Sequence, residues 1–411
     1  MGKPVEVIYD PFTLPTAQHR AGLAGLLIHR DTMERRGMEP LIEATEDEEG
    51  RWRVLLTEEN LEAAFNDLYD AAFEEREQRQ KRKKGKGPGA QVLPPKREVK
   101  RVSERTKKPE TWYVYDQVIP KGAALVALGM TEPWLKLWRE AMWSAIRGIP
   151  KTRVPFEQRA QGASSGEAEG IWSKIGQSKH SKKKAAVEDL SGSLLLGAQA
   201  ANADGVPFRD LVSQSILLHF WPIVMGCFVP VEVDRDGKEQ HTGHVLAIPD
   251  VADVTGFRED YGHFVATLSS ELSGFRPRAS VITIPEEAGI AYGAHLSAIA
   301  KGRAATSELR YTTASFEVFH LHKGERSVSL LHSGRVRLSR WMLEEYDTLR
   351  ESARDALYRR QRVVNLLRGR PWYTGFDQLF ATTDSERFVG PEARSFPYDV
   401  RRMQRQMEDT E

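Results

Sequence analysis

DPFTLPTAQHRAGLAGLLIHRDTMERR, Asp10 to Arg36, is the clearest helix signal near the start of the chain, and its pattern is that of an interior helix. Thr16, following Pro15, is the expected N-cap. Ala17, Ala21, Ala24 and Ile28 recur on one stripe while Leu23, Leu26 and Leu27 form a second, so the helix should touch neighbours on more than one side. Gly22 and Gly25 weaken helix propensity and belong where another backbone comes close. Asp31 and Arg35 are placed for an i,i+4 pair on the wet face.

With 411 residues the chain can bury a sizeable core and has room for two or three domains. Its one cysteine, Cys227, excludes a disulfide framework and any cysteine-rich zinc module, which fits a reducing cytoplasm. No uninterrupted apolar run reaches the roughly 18 residues of a membrane span. The start MGKPVE carries Glu6 where a myristoylation signal needs Ser or Thr, so a soluble, untargeted, cytoplasmic protein with no membrane partner is expected. The formal net charge of +1 conceals a segregation: between Arg76 and Lys108 stand fourteen Lys or Arg against three acids, a local +11 that leaves −10 for the rest. Such asymmetry points to a polyanion contacted by one segment.

Outward from the first helix, RWRVLL (Arg51 to Leu56) reads as a strand, and TEENLEAAFNDLYDAAFEER as a helix capped by Thr57 with Asn60 or Glu59 completing the pattern. That helix runs out into a first basic insertion, about residues 76–110, where Lys81, Arg82, Lys83, Lys84 and Lys86 stand among three Gly and three Pro. With almost no apolar residues, its middle cannot form a core; it is expected as a mobile phosphate-binding loop or a solvated insertion. Gly85, Gly87 and Gly89 make no P-loop, since no strand precedes them and no Lys-Ser/Thr ends them. TWYVYDQVIP (Thr111 to Pro120) returns as a strand, followed by a helix with Thr131 as cap and Pro133 in its first turn. Trp134, Leu137, Trp138, Ala141, Met142 and Ala145 line one face of it and read as core, not as a base-stacking platform.

Arg147, Lys151 and Arg153 then surround a Gly-Ile-Pro turn, where they hold either phosphate or water. A polar, glycine-rich stretch at about 160–185, with Lys174, Lys179, Lys182, Lys183 and Lys184, is expected as a second basic loop. Beyond it a buried helix runs into a hairpin of Cys227 to Val233 and His244 to Ile248, ASVITIP (Ala279 to Pro285) reads as a strand, and a second hairpin pairs Leu309 to Leu321 with Ser327 to Leu331. From Leu338 one long helix is expected up to Gly369, with Met342, Leu349, Ala356 and Val363 at seven-residue steps, and short helices in the tail through Phe376, Phe380, Phe388 and Tyr398. The fold class is α+β: a mixed large domain over 1–330 with β-hairpins and buried helices, followed by a helical C-terminal part over 331–411.

No catalytic set emerges. His241/His244 and His320/His322 are the only close histidine pairs. The second pair shares one strand face, which keeps a metal-dependent nuclease with a nearby carboxylate as the enzymatic alternative. Asp250, Asp253 and Asp260 also cluster, and helix capping accounts for Asp250. Serines lack a nucleophile elbow, and Cys227 lies in an apolar strand where a thiolate is disfavoured. No catalytic residue, metal ligand or cofactor is therefore assigned. Gln199 and Asn202 in GAQAANAD lie in a loop next to the second basic stretch; such amides either pair with adenine, probe the minor groove, or merely tie down a turn.

The string LPTAQHRAGLAGL resembles the N-terminal signature of one family of large subunits of the type I CRISPR interference complex, Cascade. WSAIRGIPKTRVPF, SLLLGAQAANADGVPF, LLHFWPIVMGCFVPVEVDRDGK, HVLAIPDVADV and NLLRGRPWYTGFDQL are similar to collinear blocks of that family, and together they span most of Asp10 to Phe380. The two basic stretches fall outside the resemblance. It implies a non-catalytic subunit: a crRNA lies along backbone subunits, a capping subunit holds its 5′ handle, and the large subunit at that end engages the PAM of target double-stranded DNA and helps form the R-loop, while base pairing reads the target. It further implies a surface for a helicase-nuclease or, in transposon-encoded relatives, a transposition adaptor, and in some relatives a C-terminal helical part like the small subunits that line the displaced strand. A plain RNA-binding scaffold is the other non-enzymatic reading.

Overall fold

The computed structural model of the protein describes residues 3–78, 95–102, 109–180, 186–198, 207–233, 239–303, 312–324, 327–352, 355–383, 388 and 395–408. An antiparallel sheet opens the chain, with β1 (Val5–Tyr9), β2 (Glu43–Glu46) and β3 (Trp52–Leu56) in the order β1-β3-β2. Between its first two strands runs α1 (Ala17–Arg35), capped as expected by Thr16, whose side chain accepts from the His19 amide. Gly22 and Gly25 are where a backbone crosses. A Cβ on Gly22 would stand 2.1 Å from the Leu217 carbonyl oxygen, and one on Gly25 2.3 Å from that of Phe220. The expected Asp31–Arg35 ion pair is absent: the Asp31 carboxylate pairs with Arg258 at 2.8 Å and Arg30 at 3.0 Å, and Arg35 donates to the Asp31 carbonyl instead.

The next helix, α2 (Glu58–Leu68), has a full capping box between Thr57 and Asn60 but is shorter than its sequence suggests. Ala71–Gln78 is a strand, β4, despite its helix-forming Ala, Glu, Arg and Gln. Pairing decides: β4 lies antiparallel to the twelve-residue β6 (Pro109–Pro120), whose other edge carries β5 (Arg97–Val102), and a ladder of cross-strand bonds outweighs intrinsic preferences of tenths of a kcal/mol. After α3 (Ala123–Ala127) comes α4 (Glu132–Ala141), which has Pro133 in its first turn and continues as a π turn, Met142–Ile146. Its face of tryptophans is buried as expected, although Thr131 caps it without a side-chain bond.

Following α5 (Val154–Ala160), half of the expected second loop is a helix, α6 (Glu167–His180). Ala168, Ile171 and Ile175 form a sparse but regular buried stripe on it, packed beside α2. A two-stranded pair, β7 (Val187–Asp189) with β8 (Arg209–Leu211), leads into α7 (Val212–Ser215), a 3-10 turn at Ile216–His219 and α8 (Trp221–Val224). The buried helix expected here is thus broken into short turns, which lie against α1.

The central sheet has the order β10-β9-β11-β15-β16, with β9 (Gly226–Val233), β10 (Glu239–His241), β11 (His244–Val251), β15 (Thr313–Lys323) and β16 (Val328–Val336). Both expected hairpins are therefore present. Between them come α9 (Val254–Ala266), a small hairpin of β12 (Leu272–Ser273) with β13 (Arg276–Pro277), β14 (Val281–Ile282) parallel to β9, and α10 (Glu287–Arg303). β11 is buried along almost its whole length because it contacts both α1 and α10, which explains its continuous apolar run.

Because β16 runs through residue 330, the helical C-terminal part begins only at α11 (Arg340–Ser352). The single long helix expected there is two. Asp355 caps α12 (Ala356–Leu367) by accepting from the Leu357 and Tyr358 amides. Gly369 follows at φ 59°, and α13 (Phe376–Thr382) and α14 (Ser395–Glu408) complete the α+β fold. A buried carboxylate fastens this part to the rest: one oxygen of Glu287, at the start of α10, accepts from the Thr283 amide at 2.6 Å and hydroxyl at 2.8 Å. The other accepts from Tyr346 of α11 at 3.1 Å and from Arg359 of α12 at 2.8 Å. Among the described residues no helix is long and apolar enough to cross a membrane.

Candidate nucleic-acid interface

The residues of the first helical turn of α1 hold another segment in place. The Gln18 side-chain amide donates to the Leu196 carbonyl at 3.0 Å and accepts from the Leu196 amide at 2.8 Å, a two-point clamp in the interior. His19 stands between Thr16 Oγ1, 2.8 Å from its Nδ1, and Asp210 Oδ2, 2.7 Å from its Nε2. Trp221 donates to the Leu194 carbonyl, and Tyr9 to that of Ser213. Gln199 and Asn202 themselves lie outside the described residues. The chain entering and leaving their segment, at Leu196 and Asp210, is fixed on one helix through adjacent side chains.

Asp250 is not a helix cap; that role belongs to Asp253, which accepts from the Gly256 amide at 2.9 Å. Asp250 is buried between the guanidinium groups of Arg20 and Arg335, with Ser315 as a third donor. This triad ties α1 across β11 to the sheet edge at β16.

The cations around the Gly-Ile-Pro turn separate into three roles. Arg147 is 6% exposed, donates to the Tyr69 hydroxyl at 2.9 Å and lies 5.6 Å from that ring. Tyr69 in turn bonds His219, whose pKa is pushed down to about 3 by burial and by Arg147. Arg147 is thus a core group and not the surface phosphate ligand its neighbours suggested. Arg153 stacks 4.4 Å over Trp143 and donates to the carbonyls of Arg147, Trp143 and Gly148, so its guanidinium shapes the turn. Lys151 alone is exposed, with no acidic partner among the described residues.

In the first basic stretch, Lys81, Arg82, Lys83, Lys84 and Lys86 lie outside the described residues, but its frame does not. Lys96 pairs with Glu75 and Asp116, Arg97 with Glu75 at 2.6 Å and Arg101 with Glu77 at 2.8 Å. The sheet's own acids balance the flanks, so the unbalanced charge belongs to the segment between. In the second stretch Lys174 pairs with Glu188 at 2.7 Å. Lys179 is on α6 with its side chain outside the described residues, as are Lys182, Lys183 and Lys184 altogether.

One histidine of each pair is used structurally. His320 is buried and bonds the Thr242 carbonyl; His244 is pushed down to about 4 by burial, with Arg276 and His320 adding to the effect. No group of three or more His, Cys, Asp or Glu among the described residues is arranged to hold a metal. Burial also raises the Cys227 thiol pKa, which disfavours a thiolate there. A cleft of about 650 Å³ that the sequence did not announce opens between β15, β16 and α12, lined in part by Arg335, Arg360 and Arg368 together with Glu232 and Glu286. The signal was present as an i, i+4, i+8 row on α12, hidden among the other arginines of that segment.

Residues 41–305 match the type I-B CRISPR Cas8b N-terminal domain, and residues 313–411 match the type I-B CRISPR Cas8b C-terminal domain. Both domains of one family are thus matched, in order, along the chain. The chain belongs to the Cas8b family, the large subunits of type I-B CRISPR effector complexes. The second match starts at the first residue of β15, so the central sheet is assembled from both family domains. No curated protein matches the chain.

Proposed function

We propose that the protein is a non-catalytic Cascade subunit that engages the PAM-proximal target duplex, helps form the R-loop and presents a surface to a helicase-nuclease or transposition adaptor. Its partners in this reading are the crRNA, the target double-stranded DNA and the backbone and handle-capping subunits, in the cytoplasm. Membership of Cas8b across both domains is the observation that carries it. The charge segregation supports it: concentrated cations attract phosphate without regard to sequence, as scanning requires, and a separate element must read bases.

Neutralising Lys81, Arg82, Lys83, Lys84 and Lys86, or Lys179, Lys182, Lys183 and Lys184, to Ala is expected to weaken duplex binding by the assembled complex on all sequences alike. In a salt titration on one PAM-bearing duplex, the slope of log K against log salt should shrink by about two or three units per stretch, because not every lysine meets a phosphate. An unchanged slope in both variants would reduce these stretches to solvated insertions. Gln199→Ala or Asn202→Ala should instead cost about 1–3 kcal/mol on the correct PAM only. Equal losses on correct and mismatched PAMs would leave the amides as turn residues.

A further inference from the structure

A cavity of about 80 Å³ opens where α4, α9 and α10 meet the start of β9. Its walls are rings: Trp134, Trp138, Phe228, Tyr261, Phe264 and Tyr292. The polar atoms of these rings are committed to the backbone. Trp134 donates to the Ser269 carbonyl and Trp138 to that of Pro222, both at 2.8 Å, while the hydroxyls of Tyr261 and Tyr292 donate to the Ile223 and Val224 carbonyls at 2.5 and 2.7 Å. What the walls offer an incoming molecule is therefore carbon, and an apolar cavity takes up apolar molecules in preference to water. Phe264 lies 4.5 Å from Tyr292 and 5.6 Å from Tyr261, centroid to centroid, so the walls brace one another and the site is preformed.

The rim differs in kind. Thr267 Oγ1 donates to the His263 carbonyl at 2.7 Å, so it accepts from His295 Nε2 at 2.9 Å, which fixes one tautomer of that imidazole. Burial, with the Arg350 guanidinium adding to it, pushes the His295 pKa down to about 4. Arg350, in the last turn of α11, is exposed and makes no ion pair among the described residues. One unpaired cation thus stands at the mouth of an apolar chamber. A planar carboxylate meets a guanidinium through two parallel hydrogen bonds, whereas the second charge of a phosphate monoester would find only the neutral His295 among the lining residues. Size limits the rest of the molecule: at roughly 30 Å³ for a water-sized unit, the chamber holds about three carbons.

We propose that this cavity binds a short-chain carboxylate, its head group on Arg350 and its alkyl tail among the rings. Arg350 belongs to the helical C-terminal part and the chamber to the mixed domain, so the bound molecule joins the two. Such a site needs no nucleic acid and stands whether or not the proposed engagement of duplex DNA does.

The test is calorimetric titration of the purified chain with sodium acetate, butyrate, hexanoate and octanoate. Acetate should give no saturable heat, affinity should climb about fourfold per methylene from butyrate to hexanoate, the worth of one buried CH₂, and octanoate should bind no tighter than hexanoate. Arg350→Ala, a change at an exposed position, should weaken hexanoate about tenfold and leave hexan-1-ol unchanged. Ala291→Leu, which puts a side chain into the chamber, should abolish binding of both. The NMR signals of the His295 ring at the rim should move with the same saturation curve. The proposal is overturned if hexanoate gives no saturable binding to the wild-type chain, if its affinity is unchanged in Arg350→Ala, or if the His295 signals stay still while it binds. Because Arg350→Ala and the His295 signals do not depend on filling the core, these outcomes decide the matter even where Ala291→Leu fails to fold.

Discussion

Glu287→Ala is expected to cost about 3–5 kcal/mol of stability, the range for removing one partner of a buried ion pair. The carboxylate is fully buried and serves four donors on three elements, so its loss leaves the Arg359 guanidinium, only 18% exposed, without a counter-charge. Denaturant unfolding of the purified chain measures it. The double variant Glu287→Met/Arg359→Met should recover much of the loss, since well-packed apolar replacement of both partners is often neutral. A cost below about 1 kcal/mol for Glu287→Ala would mean that the C-terminal helices are held by apolar packing alone.

Gly22→Ala and Gly25→Ala should each destabilise by about 2 kcal/mol or more, although alanine is the better helix former by about 1 kcal/mol. The added Cβ would collide with carbonyl oxygens of Leu217 and Phe220, backbone atoms that cannot rotate away. Gly170→Ala in α6 and Gly302→Ala in α10 are internal controls, because nothing lies within 4 Å of their added Cβ and both should stabilise slightly. Gly22→Ala behaving like Gly170→Ala in urea unfolding would remove the close crossing of α1 from the account of this fold.

The same two glycines show what was legible in the sequence. A helix that is apolar on two sides and carries small residues at i and i+3 has few physical explanations, and the close crossing is the one found. Strand β4 was illegible because Ala71–Gln78 takes its conformation from β6, more than thirty residues away. The break at Asp355 was masked by a seven-residue apolar repeat that continues across it, in which a capping aspartate looks like one more surface charge. Charge read by type alone also misled: Arg147 and Lys151 are four residues apart, yet one is buried on Tyr69 and the other exposed. Asp250 was given a cap's role because its two arginine partners lie 230 and 85 residues away.

The three-stranded arm has a consequence for how this chain can change. Glu77 of β4 and Arg97 of β5 flank Val114 of β6 from opposite sides, so the chain leaves the sheet and re-enters it about two strand spacings apart, roughly 10 Å. That gap is set by backbone pairing with β6 and is indifferent to what is spliced between. Residues 79–94 are therefore a site where length and charge can change without a matching change in the core, and where an experimenter can insert a fluorescent label or a tethered domain while the two anchoring strands stay in register.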